Sequence, residues 1–133
     1  MEDKFYITKG IVRYNGEWVI IEAPYSVVNY YKFWVEKFTG KKISTSYHLP
    51  HITLVAGKYD KGCDKHSNWG KYNDKVVEFK YFSHIYTDNE WFNLGEYYWL
   101  RVECPLIPIL RTELGLKPYP FHFPHLTIGY KEN

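Results

Sequence analysis

The chain has 133 residues, of which 20% are aromatic and 24% are charged. This length fits a single folded domain, and the composition excludes a disordered chain, a collagen and a coiled coil. The formal net charge of +2 is too small for a protein that binds duplex DNA, so any nucleic-acid substrate is expected to be small.

Membrane contact and secretion are not expected from this sequence. Its apolar runs are far shorter than the roughly 18 residues that a membrane span needs, and its first residues do not resemble a signal peptide. The two cysteines, Cys63 and Cys104, lack the paired spacing of a metal site and are too few to crosslink a secreted domain. We therefore expect free thiols and a cytoplasmic location.

The first half of the chain predicts a hairpin, a helix and a strand. The hairpin turn falls at Asn15-Gly16, between two segments rich in β-branched and aromatic residues. Apolar residues with helical spacing follow Pro24, and the short apolar run after Pro50 is typical of a strand. The predicted elements are strands over 10–14 and 17–22, a helix capped by Ser26 and stopped by Gly40, and a strand over 52–56.

The second half repeats this order of elements. The predicted elements are a strand over 76–86, a turn at Asp88-Asn89, a strand over 97–103, a helix over 105–114 stopped by Gly115, and a strand over 126–130. The strongest match between the halves is HLPHITL, residues 48–54, against HFPHLTI, residues 122–128. Both histidines, the proline and the threonine are identical, which points to an internal repeat.

These observations predict an α+β fold with one domain over residues 1–133. We expect two similar lobes, over about residues 1–57 and 75–133, each an antiparallel sheet with a helix. A pseudo-twofold axis would relate the lobes and leave a cleft between them. Residues 58–74, which are rich in lysine and glycine, are expected to form the connecting surface loop.

Each repeat contains the pattern His-x-Thr on a predicted strand: His51 and Thr53, then His125 and Thr127. Residues i and i+2 of a strand project from the same face, so each histidine is expected beside its threonine. Two converging histidines suit displacement at phosphorus, one removing a proton and the other supplying one. The threonine hydroxyls can donate to phosphate oxygens and stabilise the transition state.

The doubled motif resembles that of the 2H phosphoesterase superfamily, through residues 50–55 and 124–130. The segments WVIIEAP, HITLVAGKYD and PHLTIGY are also similar to small phage-encoded, RNA-repair-like members. One difference is that a proline directly precedes each motif histidine, so the apolar residue of the pattern lies one place further back, at Leu49 and Phe123.

The resemblance implies cleavage of a nucleotide phosphodiester without a metal or other cofactor. His51 and His125 would be the acid and base, in an order left open, and Thr53 and Thr127 the phosphate donors. Known members act on RNA 2′,3′-cyclic phosphate ends, on 2′-5′ linkages, or on cyclic nucleotide signals of antiviral immunity. The expected substrate is therefore a small nucleotide or RNA end. One hypothesis is that the protein is a phage counter-defence enzyme.

Further substrate-binding candidates lie after the first motif. Tyr59, Trp69 and Tyr72 lie among lysines, an arrangement that could stack bases and attract phosphate, although ordinary packing explains these aromatics equally well. Lys58 follows the first motif strand and could reach a bound phosphate, although a solvated lysine is the simpler explanation.

Tyr130, at the end of the second motif, is the last such candidate. Regular alternation along the strand points Tyr130 away from His125 and Thr127. A bulge at Gly129 would reverse that direction and bring the tyrosine to the histidines.

Two other classes of function stay open. The cleft could bind a cyclic nucleotide without cutting it, as a sponge does. A histidine-rich metal protein is also conceivable, because His48 and His51, and His122 and His125, form two H-x-x-H pairs. Strand geometry would separate each pair onto opposite faces, so no metal is predicted. The sequence does not predict the oligomeric state.

Overall fold

The computed structural model describes residues 4–45, 49–88, 96–120 and 123–131. The elements along these ranges are β1 (Phe5–Asn15), β2 (Trp18–Glu22), α1 (Tyr25–Thr39), β3 (His51–Val55), β4 (Val76–Asp88), β5 (Tyr97–Glu103), α2 (Leu106–Glu113) and β6 (His125–Tyr130). The predicted type and order of these elements are confirmed. The predicted turn at Asp88-Asn89 falls partly outside the described residues.

Local sequence explains where the first elements turn and end. Gly16 adopts a φ of +60° in the hairpin turn, as the Asn-Gly pair predicts. The predicted cap at Ser26 is wrong, since α1 begins after Pro24 and Ser26 lies inside its first turn. The predicted stop is confirmed: Gly40 is left-handed with φ 68°, and its N–H donates to the Glu36 carbonyl at 2.9 Å.

The predicted fold, a duplicated α+β fold of two lobes, is wrong, because the structure is mostly one antiparallel sheet. The described strands form one six-stranded sheet in the order β3-β2-β1-β4-β5-β6. Strand β1 pairs antiparallel with β4 from Phe5 opposite Phe82 to Ile11 opposite Val76, which joins the two halves edge to edge. Periodicity within a half cannot show this pairing, because it reports which face of a strand is buried and not which edge is paired.

The sheet curls into a nearly closed barrel. Its two edge strands, β3 and β6, approach each other and are the strands that carry the two motifs. The chain after α1 pairs with the outer edge of β6, where the Ser44 and Tyr130 amides each donate to the other residue's carbonyl at 2.8 and 2.9 Å. Thus the edge of β6 is partly covered, and the two motif strands lie where the edges of the barrel approach each other.

One face of the sheet, here called the helix face, packs against α1 and α2. Helix α1 contacts β6, and α2 contacts β3, so each helix packs on the motif strand of the other half. The principal buried residues are Val12, Val19, Ile21, Ile52, Leu54, Leu100, Val102, Leu126 and Ile128 of the sheet, with Val28, Val35, Ile107 and Leu110 of the helices. Burial of this apolar surface is the main stabilising contribution.

A buried ion pair fastens the first motif strand to the second half. Arg111 of α2 is only 2% exposed, and its guanidinium donates to both Asp60 carboxylate oxygens at 2.9 Å and to the Leu54 carbonyl at 2.8 Å. Burial raises the pKa of the Asp60 carboxyl, but hydrogen bonds from Arg111 and the Ala56 amide outweigh burial and lower that pKa below 3.8. The pair therefore holds the end of β3 in place.

Cys63 is half-buried, Cys104 is buried, and both are free thiols, as predicted. Within the described ranges, no helix is long and apolar enough to cross a membrane.

We predict that Asp60→Ala lowers the free energy of unfolding by about 3–5 kcal/mol, because it leaves the Arg111 guanidinium buried without its partner. Urea denaturation followed by circular dichroism measures this loss. The matched control is Lys65→Ala, which breaks the exposed pair of Lys65 with Glu17 and should leave the denaturation midpoint nearly unchanged.

The same ion pair gives a pH test. The stability that the Asp60 carboxylate contributes is complete above its ordinary pKa of 3.8 and is lost as the pH falls through the lowered folded value. The difference in stability between wild type and Asp60→Ala should therefore shrink in acid. A difference that persists unchanged at low pH would contradict this assignment.

Candidate active site

The two His-x-Thr motifs lie on the same face of the sheet. Buried residues alternate with the motif residues along both strands, as predicted: Ile52 and Leu126 are fully buried between the histidine and threonine of their motifs. Cross-strand partners share a face, and following the pairing from His51 across the sheet to His125 shows that both project away from the helices. We call this surface the histidine face.

Both motif histidines make the same hydrogen bond to the chain before them. His51 Nδ1 lies 2.7 Å from the Leu49 carbonyl oxygen, and His125 Nδ1 lies 2.8 Å from the Phe123 carbonyl oxygen. A carbonyl oxygen only accepts hydrogen bonds, so Nδ1 carries the proton in each ring. In the neutral ring the lone pair therefore lies on Nε2, the nitrogen that can act as a base.

The proline before each histidine explains how this carbonyl is positioned. Proline fixes its own φ and favours an extended residue before it, which sets the direction of the Leu49 and Phe123 carbonyls. The proline carbonyls are anchored as well: Pro50 accepts from the Ala23 amide at 2.8 Å, and Pro124 accepts from the Val102 amide at 3.0 Å. Each histidine is thus held by a short backbone segment tied to the neighbouring part of the sheet.

A register shift follows the threonine in each motif strand. In β3, Thr53 pairs with Ile20 and Val55 pairs with Val19, so Leu54 is an extra residue. In β6, Thr127 pairs with Trp99 and Gly129 pairs with Tyr98, so Ile128 is the extra residue. The two halves share this bulge, which increases the twist of a strand at its site.

The bulge in β6 changes the direction of Tyr130. Tyr130 pairs with Tyr97, whereas Thr127 pairs with Trp99, two residues further along β5. Tyr97 and Trp99 share a face, so Tyr130 also lies on the histidine face. The direction expected from regular alternation is wrong because the extra residue resets the alternation.

Strand β5 supplies neighbours of the second motif that the sequence pattern does not identify. The Tyr97 and Thr127 hydroxyls are hydrogen-bonded to each other, and Trp99 contacts the His125 ring edge-on with 5.7 Å between centroids. Arg101 pairs across from His125. A signal was present, because Tyr97, Trp99 and Arg101 alternate along the predicted strand, but choosing their face required knowledge of the pairing.

The first motif has different neighbours. Glu22 pairs across from His51, and Ile20 pairs across from Thr53. The Glu22 carboxylate also lies 3.4 Å from Nε of Arg13, which is in turn hydrogen-bonded to Asp74. The site is therefore asymmetric, with an aliphatic and ion-paired side at His51 and an aromatic side at His125.

Two predicted substrate-binding residues have contacts that account for packing. Trp69 lies edge-on to Tyr14 with 5.1 Å between ring centroids and packs against the core. The Tyr72 hydroxyl donates to Glu113 of α2 at 2.7 Å, which, with a bond from Lys71, lowers the pKa of that carboxyl. Tyr14 projects from the helix face, so the structure places Trp69 and Tyr72 on the side of the sheet opposite to the motifs.

Lys58 and Tyr59 lie in the turn that follows β3. The Tyr59 amide donates to the Ala56 carbonyl at 2.8 Å, and the Lys58 ammonium lies 5.6 Å from the centre of the Tyr59 ring. Tyr59 is 52% exposed. Their place at the end of a motif strand is compatible with the predicted contact with substrate, which stays a prediction.

The alternative of a histidine-rich metal protein requires a cluster of metal-ligating side chains. Within the part of the chain that the structure describes, no three histidine, cysteine, aspartate or glutamate residues are grouped as metal ligands. His48 and His122 lie outside the described residues, so the proposed H-x-x-H pairs are not tested.

The chain matches no family model, no curated protein and no solved structure. The geometry of the motifs and their resemblance to the 2H pattern are therefore the grounds for proposing a function.

The shared Nδ1 hydrogen bond gives a test independent of substrate. We predict that His51 and His125 both carry the proton on Nδ1 when neutral, and two-bond ¹H–¹⁵N NMR spectra at high pH measure this. His66, which is exposed in the segment between β3 and β4, serves as the internal reference. A spectrum in which either motif histidine carries its proton on Nε2 would contradict the described geometry.

Proposed function

We propose that the protein is a metal-independent phosphodiesterase of the 2H type that cleaves a small nucleotide phosphodiester. The observation that supports this most is the matched pair of hydrogen bonds from His51 and His125 Nδ1 to the carbonyls of Leu49 and Phe123. A structural histidine needs no matched counterpart in the other half of a chain. An acid–base pair of histidines does need matched hydrogen bonds, because each ring must be held in one tautomer.

In the proposed reaction, Nε2 of one motif histidine removes a proton from a water molecule as its oxygen attacks phosphorus. The bond from phosphorus to the leaving oxygen breaks, and Nε2 of the other histidine, initially protonated, donates its proton to that oxygen. One water is consumed, and the products are a phosphomonoester and a free hydroxyl. The cycle is completed when a proton passes from the first histidine to the second through solvent.

The threonines would hold the phosphoryl group during this reaction. Thr53 and Thr127 follow the histidines at i+2 on the histidine face, so their hydroxyls can donate to non-bridging oxygens where negative charge develops. Tyr97 is a positioning residue in this scheme, because its hydroxyl is hydrogen-bonded to that of Thr127. The bond orients the threonine hydroxyl before substrate arrives.

The proposed substrates are an RNA 2′,3′-cyclic phosphate end and a cyclic nucleotide or oligonucleotide messenger. The latter would make the protein a counter-defence enzyme acting in the host cytoplasm. Both classes place a phosphodiester between ribose oxygens, which is the chemistry that two proton-transferring histidines serve.

We predict that His51→Ala and His125→Ala each lower kcat by roughly 100-fold or more, since each removes one proton-transfer partner. The assay offers 2′,3′-cyclic mononucleotides, 2′-5′ and 3′-5′ dinucleotides and cyclic di- and trinucleotides in excess EDTA, with products identified by mass. The matched control is His66→Ala, which removes an exposed histidine between β3 and β4 and should retain full activity.

Three outcomes would contradict the proposal. Full activity of His51→Ala would remove the acid–base pair from the mechanism. Loss of wild-type activity in EDTA would favour a metal enzyme. Recovery of an intact cyclic nucleotide from its complex with the wild-type protein would favour a binding protein.

A further inference from the structure

A groove of about 940 Å³ adjoins the second motif. Its floor is formed by residues 78–80 of β4 and 101–103 of β5, and its walls by the first turn of α2 and by Tyr119, Pro120 and Phe123. Pro124, which directly precedes His125, lines the same groove. This space, here called the β5 groove, therefore begins beside the candidate active site and is at the large end of the roughly 300–1,000 Å³ typical of ligand sites.

The charges in the β5 groove are balanced. Lys80 and Arg101 lie among its lining residues together with Glu78 and Glu103. The Arg101 guanidinium donates to the Glu103 carboxylate at 2.7 Å. A polyphosphate would meet two carboxylates here, so the groove does not favour a dense anion. Donors and acceptors side by side instead suit the polar edges of a nucleobase.

Aromatic rings flank these charged groups. Tyr119 is 63% exposed and Phe123 is 76% exposed on the wall. Next to the groove, outside its lining residues, the rings of Phe5 and Phe82 lie 6.2 Å apart. Exposed aromatic faces next to polar groups are the features on which unpaired bases stack.

Two cations connect the groove to these rings. The Lys80 ammonium lies 4.4 Å from the centre of the Phe5 ring, and the Arg101 guanidinium lies 4.5 Å from that of Phe82. Arg101 is also the cross-strand partner of His125. An aromatic and cationic surface therefore continues from the second motif across β5 and β4 to β1.

We propose that the β5 groove binds the nucleosides of a single-stranded oligonucleotide whose scissile phosphate lies between the two motifs. This inference rests on the proposed function and narrows its substrate from any small phosphodiester to an oligonucleotide with unpaired bases. The asymmetry of the site supports placing the nucleosides on the side of the second motif. The cross-strand neighbours of the first motif are Glu22 and Ile20, whereas the β5 groove lies beside His125.

The first test compares kcat/KM for a 2′,3′-cyclic mononucleotide and for a trinucleotide with the same cyclic end. We expect the trinucleotide to be preferred by at least about 10-fold, which corresponds to stacking of one base on an aromatic side chain. Tyr119→Ala should remove most of this preference and leave the rate on the mononucleotide unchanged.

The matched control is Tyr25→Ala, which removes a tyrosine of similar exposure from α1. It should retain the preference for the trinucleotide. Equal kcat/KM values for the two substrates, or an equal effect of Tyr119→Ala on both, would overturn the role of the β5 groove while leaving the phosphodiesterase proposal intact.

A binding test separates the two proposals if no substrate is cleaved. Fluorescence anisotropy of a labelled single-stranded RNA hexanucleotide is measured with the His51→Ala/His125→Ala variant, with and without Tyr119→Ala. Weaker binding by roughly 10-fold on loss of Tyr119 supports the groove even if catalysis fails. Equal binding with and without Tyr119, or tighter binding of the corresponding duplex, overturns it.

Discussion

The antiparallel pairing of β1 with β4 is the constraint on which the arrangement of the site depends. It joins two hairpins that would otherwise present open edges and makes one sheet from the two halves of the chain. As a result β3 and β6 become the two edges of the same sheet, and their histidines share one face. Gly10 permits the close packing of the central strand, because a Cβ there would lie 2.4 Å from the Ile21 side chain.

The Pro-His unit is the second feature that both motifs share. In each one, proline sets the backbone, the preceding carbonyl accepts the Nδ1 proton, and Nε2 is left as the basic nitrogen. The environments beyond this unit differ. His51 lies beside a carboxylate paired with arginine, whereas His125 lies beside Trp99 and Arg101. Under the proposed function, the repeated motif would supply the chemistry, and the unequal surroundings would allow one side of a substrate to be recognised.

Sequence periodicity predicted the elements well and their assembly poorly. Local geometry, which a single segment encodes, determines three of the predicted features. These are the turn at Gly16, the end of α1 at Gly40, and the placement of each histidine and its threonine on one face of their strand. The joining of the halves depends on which strand edges meet, and the predicted separate lobes were wrong for that reason.

The features of the site that the sequence did not predict have similar causes. Tyr130 lies on the histidine face because of a bulge, which alternation alone does not predict. The role of Tyr97 beside Thr127 depends on the pairing of β5 with β6. Trp69 and Tyr72 lie among lysines in the sequence, but their contacts with Tyr14 and Glu113 place them on the opposite side of the sheet.

We propose that both motifs act on one phosphorus atom. A crystal structure with a nucleoside vanadate, which mimics the five-coordinate transition state, tests this proposal. We expect one vanadate between β3 and β6, with Nε2 of His51 and Nε2 of His125 each within roughly 3 Å of opposite apical oxygens. A vanadate held by one motif alone, with the other histidine out of reach, would contradict it.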